Sequence, residues 1–132
     1  MNETEHTSRK ALLTIRPQIP TIAESATSTA ERFQNTSLRP ILKLQNDLFV
    51  AVMRQYFHKR KNVFPTLSRT RQAEYIAHCI RKDLKFKNRL LGMVIGQMTL
   101  AEYDDFVAEE SELTRRITTM LIERMQDQLI DA

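Results

Sequence analysis

Glycine occurs twice in this sequence, at Gly92 and Gly96, four residues apart and nowhere else. With only four prolines besides, the chain has little turn chemistry for a sheet of many strands, so the composition points to helices. The same scarcity excludes a Gly-rich phosphate loop, because neither glycine is followed by Lys-Ser or Lys-Thr. At 132 residues, with 42% hydrophobic and 27% charged residues, the composition is that of one ordinary soluble domain.

Residues 1–36 are rich in Thr and Ser, carry Pro17 and Pro20, and show no sustained period, which predicts an extended, mobile N-terminal arm. Its apolar residues Leu12, Leu13, Ile15, Ile19 and Ile22 can still lie along the core or a partner. The helical domain is expected over 37–132. Ser37 is the first candidate N-cap, with Pro40 in the first turn, where a missing N–H removes no intrahelical bond. Ile41, Leu44, Leu48, Phe49, Val52 and Tyr56 then form a wide apolar arc, suited to a central helix with several neighbours. Gln45 and Gln55 fall inside that arc, as buried amides that can fix the register of an interface or as long side chains bending to solvent.

Phe64-Pro65 ends this helix and Ser68 offers a new cap. Ala73, Ile76, Ala77, Ile80 and Leu84 keep helical spacing on one stripe, but continuing it places Lys87 in the stripe and Phe86 outside it, so a break is expected between Asp83 and Asn88. Leu90 to Gly96 is apolar on all sides; a short buried helix is favoured over a strand because no partner strand is evident. Gly92 and Gly96 would share one face of it and allow another helix to approach. Thr99-Leu100-Ala101-Glu102 has the capping-box pattern and starts a helix with Tyr103, Phe106 and Val107 as its apolar face. The run Glu109 to Glu112 is a candidate interruption, with Ser111 available to recap. The last helix turns Leu113, Ile117, Met120, Leu121 and Met125 inward.

Charge is distributed unevenly. Residues 54–89 hold eleven Lys and Arg against Glu74 and Asp83, whereas residues 102–132 hold nine carboxylates against three arginines. The basic stretch makes Lys59, Arg60, Lys61, Arg69, Arg71, Arg81, Lys82, Lys85 and Arg89 candidate polyanion contacts, with Tyr75 and Phe86 available to stack on unpaired bases. The asymmetry equally fits two halves that attract each other within the fold or across a dimer, and charge runs on helices are usually solvated faces.

Catalytic chemistry finds no footing. Cys79 and His78 are adjacent, and adjacent helical residues diverge by about 100°. One cysteine closes no intramolecular disulfide, and no zinc spacing exists. Glu102, Asp105, Glu109 and Glu112 would line one strip of a continuous helix, but no Glu-x-x-His motif accompanies them, and Glu74 with His78 supplies only two ligands. No catalytic, cofactor or metal residue is therefore assigned. The acidic start MNETEHTSRK resembles neither a signal nor a transit peptide, and no apolar run approaches the roughly 20 residues of a membrane span, so a cytoplasmic protein is expected.

The segment Glu31-Arg32-Phe33-Gln34-Asn35-Thr36-Ser37-Leu38-Arg39-Pro40-Ile41-Leu42-Lys43-Leu44-Gln45-Asn46 resembles the opening of a small family of uncharacterised bacterial helical proteins, mostly from the Bacteroidetes. The resemblance continues through Lys82-Asp83 and Gly96-Gln97 to the last helix, about three quarters of the chain. Similar chains sometimes carry a glyoxalase label. Metal-dependent glyoxalases use paired βαβββ modules with His and Glu ligands on strands, and this helical pattern matches none of those positions. The resemblance implies length and class, and no active site.

The sequence thus predicts an all-α compact bundle of four to five helices behind an N-terminal arm, non-enzymatic, acting through homodimerisation and protein binding. Gln45, Gln55, Gly92 and Gly96 are its candidate interface residues. Nucleic-acid binding through residues 54–89 is the alternative.

Overall fold

Helix begins well before Ser37. In the computed structural model, which describes residues 8–19 and 28–130, Ser28 is the cap: its side chain accepts the Glu31 backbone N–H at 3.0 Å. That satisfies one of the donors every helix start leaves unpaired. A short α1 (Leu12–Ile15) comes first; α2 (Thr29–Phe33) then runs through a π-helical stretch, Gln34–Leu38, into α3 (Arg39–Leu44). Ser37 is buried inside the π stretch and caps no helix. The wider turn, closed by the Arg39 N–H reaching the Gln34 carbonyl, lies directly upstream of Pro40. There an ordinary α-helix would press the residue 36 carbonyl against the proline ring.

The reading of 1–36 as an extended arm is therefore corrected in part; residues 16–19 lie outside helix, with Arg16 in extended backbone. Residues 29–36 are helical and bury Ala30, Phe33 and Asn35, and residues 8–10 and 12–15 are helical as well. The remaining positions of the expected arm, 1–7 and 20–27, lie outside the described residues. Helix was hidden here because Thr, Ser and Asn are weak helix formers and the π turn shifts the apolar period.

At Gln45 (φ −90°, ψ 4°) the axis breaks, and α4 (Asn46–Lys59) follows, burying Phe49, Met53 and Phe57. Lys61 and Asn62 reverse the chain at positive φ. A 3₁₀ turn, Phe64–Thr66, sets Phe64 against Phe57 with ring centroids 4.2 Å apart. Ser68 caps α5 (Arg69–Lys82), which buries Ile76, Cys79 and Ile80. The expected break is a single residue: Asp83 ends α5 and caps α6 (Leu84–Ile95), its carboxylate accepting the Phe86 N–H at 3.1 Å. Rephasing at Asp83 turns Phe86 into the core and leaves Leu84, expected on the buried stripe, 66% exposed. Residues 90–95 are helix, within α6. The capping box of Thr99 and Glu102 opens α7 (Leu100–Ala108). Glu109 then interrupts the chain, with no cap from Ser111, before α8 (Glu110–Leu129).

The hub is α8 rather than the helix over residues 41–56, which the kink divides in two. Leu113, Ile117, Thr118, Leu121, Ile122 and Met125 give α8 a wide buried arc, and it packs against α4, α5, α6, α7 and the π stretch. Each fully buried Leu or Ile there contributes about 1.5–3 kcal/mol relative to solvent exposure. The described residues contain no strand, and the breaks at Gln45, Asp83 and Glu109 produce more helices than the four or five expected. No described helix is long and apolar enough to cross a membrane.

Two arginines tie residues 8–19 to the turn between α6 and α7. Arg9 donates to the Gly96 and Met98 carbonyls at 2.9 and 2.6 Å. Arg16 grips both oxygens of Glu102 at 2.7 Å and also reaches the Gln97 carbonyl. Both partners are largely shielded, with 6% and 13% of their side chains exposed. Burial raises the Glu102 pKa, but the bonds from Arg16, Ser37 and the Thr99 backbone outweigh it and leave the carboxyl below its ordinary value.

Candidate functional site

The nine candidate cations do not converge on one surface. All are exposed, but Arg69 and Arg71 start α5 while Arg81 and Lys82 end it, and about a dozen residues of helix separate the pairs by roughly 15–18 Å. Lys61 sits in the turn after α4. Four of the nine, Lys59, Arg60, Lys85 and Arg89, are brought together by a groove of about 450 Å³ between α4 and α6.

The groove exists because α4 and α6 are held together at one polar and aromatic contact. Tyr56 stacks on Phe86 with centroids 4.0 Å apart, and its hydroxyl donates to Asp83 Oδ2 at 2.8 Å. Arg60 donates to the same oxygen at 2.6 Å while its guanidinium lies 4.8 Å from the Tyr56 ring centre. Asp83 thus serves three donors, and the Phe86 N–H, Tyr56 and Arg60 hold its carboxyl below the usual carboxylate range. Burial, then the hydrogen bond to Asp83, pushes the Tyr56 phenol well above an ordinary tyrosine. Ala51, Val52 and Gln55 line the α4 side.

Arg60 and Asp83 satisfy each other, which leaves Lys59, Lys85 and Arg89 as the uncompensated charges of the groove; among the described residues none of these three has an ion-pair partner. An apolar wall under a cationic rim is the complement of an acidic, amphipathic segment. It is a poor platform for bases: Phe86 is buried, and the Tyr56 ring is already engaged by both Phe86 and Arg60. That corrects the expectation that Phe86 stacks on an unpaired base. Tyr75 is half-buried, against Phe57 and Phe64.

The four candidate interface residues also separate. Gln55 is exposed in the groove wall and Gln45 half-buried at the kink, so neither is a fully buried amide and the alternative of long side chains reaching solvent fits Gln55. Gly92 and Gly96 are exposed and continue the stripe of α6 that carries Lys85 and Arg89. A Cβ at Gly92 would meet nothing within 4 Å, so none of the other described helices lies against that position. Sequence reasoning missed the outer face of α7. Tyr103 and Val107, expected inside with Phe106, are 45% and 47% exposed, beside the exposed Asp104. Their spacing carries no sign of this, because it reports a shared face and not what covers it.

The carboxylate strip is not continuous. Glu102 is bound to Arg16, the helix breaks at Glu109, and Glu112 pairs with Arg115 and Arg116. Among the described residues no group of three His, Cys, Asp or Glu could hold a metal ion. Cys79 is buried, and burial raises its thiol pKa against the opposing hydrogen bonds of Tyr75 and Tyr56. Compared with known proteins, the chain matches no family model, no curated protein and no solved structure.

Proposed function

We propose that this chain is a non-enzymatic interaction protein whose α4/α6 groove docks an acidic, amphipathic protein segment, and that α7 of a second copy supplies one such segment in a homodimer. The observation that carries the reading is the groove itself, an apolar wall rimmed by Lys59, Lys85 and Arg89, in which the lining carboxylate, Asp83, is already paired with Arg60. Tyr103 and Val107 sit one turn apart on the outer face of α7, with Asp104, Asp105, Glu109 and Glu110 on exposed positions nearby. Opposite charge and unsatisfied apolar surface thus occur on different parts of one chain, as a self-complementary interface requires. A stable interface buries roughly 800 Å² per partner, more than one groove supplies, so the contact extends along α6 over Gly92 and Gly96.

Sedimentation at micromolar concentration tests this. The native chain is expected to be a dimer, Lys85→Glu with Arg89→Glu a monomer, and a further Asp104→Lys with Asp105→Lys is expected to restore association. A monomer at every concentration overturns the self-docking reading.

Nucleic acid remains a second reading because Lys61, Arg69, Arg71, Arg81 and Lys82 are exposed and outside the ion pairs of the described residues. It predicts binding to mixed RNA or DNA that falls steeply with salt and disappears on charge reversal at Lys82, Lys85 and Arg89. No binding at low salt ends it.

A further inference from the structure

A second hollow, of about 530 Å³, lies between α3 and α8 on surface that the groove does not use. Its cations come from two helices: Arg39 and Lys43, one turn apart on α3, and Arg124 on α8. Neutral groups hold both guanidiniums. Arg39 Nε donates to Asn35 Oδ1 at 3.0 Å, and Arg124 Nη1 donates to Asn46 Oδ1 at 3.1 Å, with Asn46 itself anchored to Gln128 at 2.9 Å. An arginine fixed by an amide oxygen keeps its full charge and its other N–H donors, whereas one fixed by a carboxylate does not. Among the described residues none of these three cations has an ion-pair partner. Arg124 is held below its ordinary pKa by burial, which outweighs the opposing pull of Asp127, with Arg39 adding a smaller push downward.

The rest of the lining narrows the ligand. Glu123 and Asp127 also border the hollow, so three cations face two carboxylates. That excess of one positive charge suits a single negative charge and disfavours a polyphosphate or a nucleic-acid backbone. Leu42, Met120 and Ile19 provide apolar wall. The volume falls within the roughly 300–1,000 Å³ typical of small-molecule sites. The π stretch that precedes α3 places Gln34 on the same lining as Arg39, and such turns are frequent at functional positions.

We propose that this hollow binds a small monocarboxylate with an apolar body, the carboxylate received by Arg39, Lys43 and Arg124 and the body resting on Ile19 and Met120. A guanidinium fork matches the two oxygens of a carboxylate, which fixes the head group while the apolar wall accepts the chain. This site is independent of the α4/α6 groove.

Titration of the full chain with hexanoate, followed by amide chemical shifts, tests the assignment. Saturable shifts are expected at residues 39–43 and 120–127, with none from hexan-1-ol and weaker ones from inorganic phosphate. Arg39→Gln and Lys43→Gln, both at exposed positions, are each expected to weaken hexanoate by about tenfold, the scale of one charge-assisted hydrogen bond, with an unchanged thermal midpoint. The Lys85→Glu, Arg89→Glu variant is expected to bind hexanoate normally, which separates this site from the groove. No saturable binding, tighter binding of phosphate than of hexanoate, or unchanged affinity in both the Arg39 and Lys43 variants overturns the proposal.

Discussion

The Arg16–Glu102 pair allows the docking of residues 8–19 to be weighed directly. Two charge-assisted bonds of 2.7 Å join the side chains, and both are shielded from water. Such bonds contribute about 1.5–3 kcal/mol each before the cost of desolvating the ions, so a coupling of about 2–4 kcal/mol is expected. The single variants should differ. Arg16→Ala leaves Glu102 its bond from the Thr99 N–H at 2.9 Å, whereas Glu102→Ala also removes half of the α7 capping box and strands a buried guanidinium. Losses of about 2–3 kcal/mol for the first and 3–5 kcal/mol for the second follow. Release of residues 8–19 limits the second loss, because Arg16 then regains water. Urea unfolding of wild type, both single variants and the double variant at neutral pH gives the coupling directly. A coupling below about 0.5 kcal/mol, the scale of an exposed surface pair, refutes the claim that this contact docks the segment.

The pair also sets a pH dependence: the folded Glu102 pKa lies below its unfolded value, so its stabilisation is complete above about pH 4.3 and is lost as pH falls through the folded pKa. Glu102→Gln should flatten the acid limb of stability against pH, and an unchanged limb counts against the assignment. Gly92→Ala should stabilise the chain by about 0.5–1 kcal/mol, because helix propensity improves and the added methyl meets nothing within 4 Å. In the proposed dimer a second copy lies over Gly92, so the same substitution should weaken association read by sedimentation, and unchanged association removes Gly92 from the interface. Asp83→Asn should bring the Tyr56 ionisation down toward the ordinary tyrosine range in an ultraviolet titration, since the carboxylate is one of the causes that raise it. No movement would mean burial alone accounts for the shift. Cys79 should resist thiol reagents in the native protein and react on unfolding, and native reactivity at the rate of a free thiol would contradict its burial.

Much of the fold is legible wherever the apolar period is unbroken. Ile76 and Ile80, Leu113 to Met125, and the capping box at Thr99 all announce their helices, and the phase failure at Phe86 and Lys87 marks the break at Asp83. What escaped is what period cannot encode. The π stretch adds a residue to the turn and conceals the helix around Phe33 and Leu38, while the long-range partners of Arg9 and Arg16 leave no local trace. For the site, the charge excess of residues 54–89 identified Lys59, Arg60, Lys85 and Arg89, but only tertiary packing of α4 against α6 separates them from the other five. Arg124 lies 81 residues from Lys43 and 85 from Arg39, on another helix, so nothing local groups the three.

The clasp of Arg16 on Glu102 also has a place in time. The partners are 86 residues apart in the chain, and at roughly 5–20 residues per second of synthesis the acceptor is made some 4–17 s after the donor. Through that interval Arg9 and Arg16 have neither the α6–α7 turn nor Glu102 to bind. These two arginines, among the earliest described residues to be translated, are thus among the last to find their described partners, and anything that holds their guanidiniums on the way out of the ribosome competes with none of those bonds until the α6–α7 turn and α7 exist.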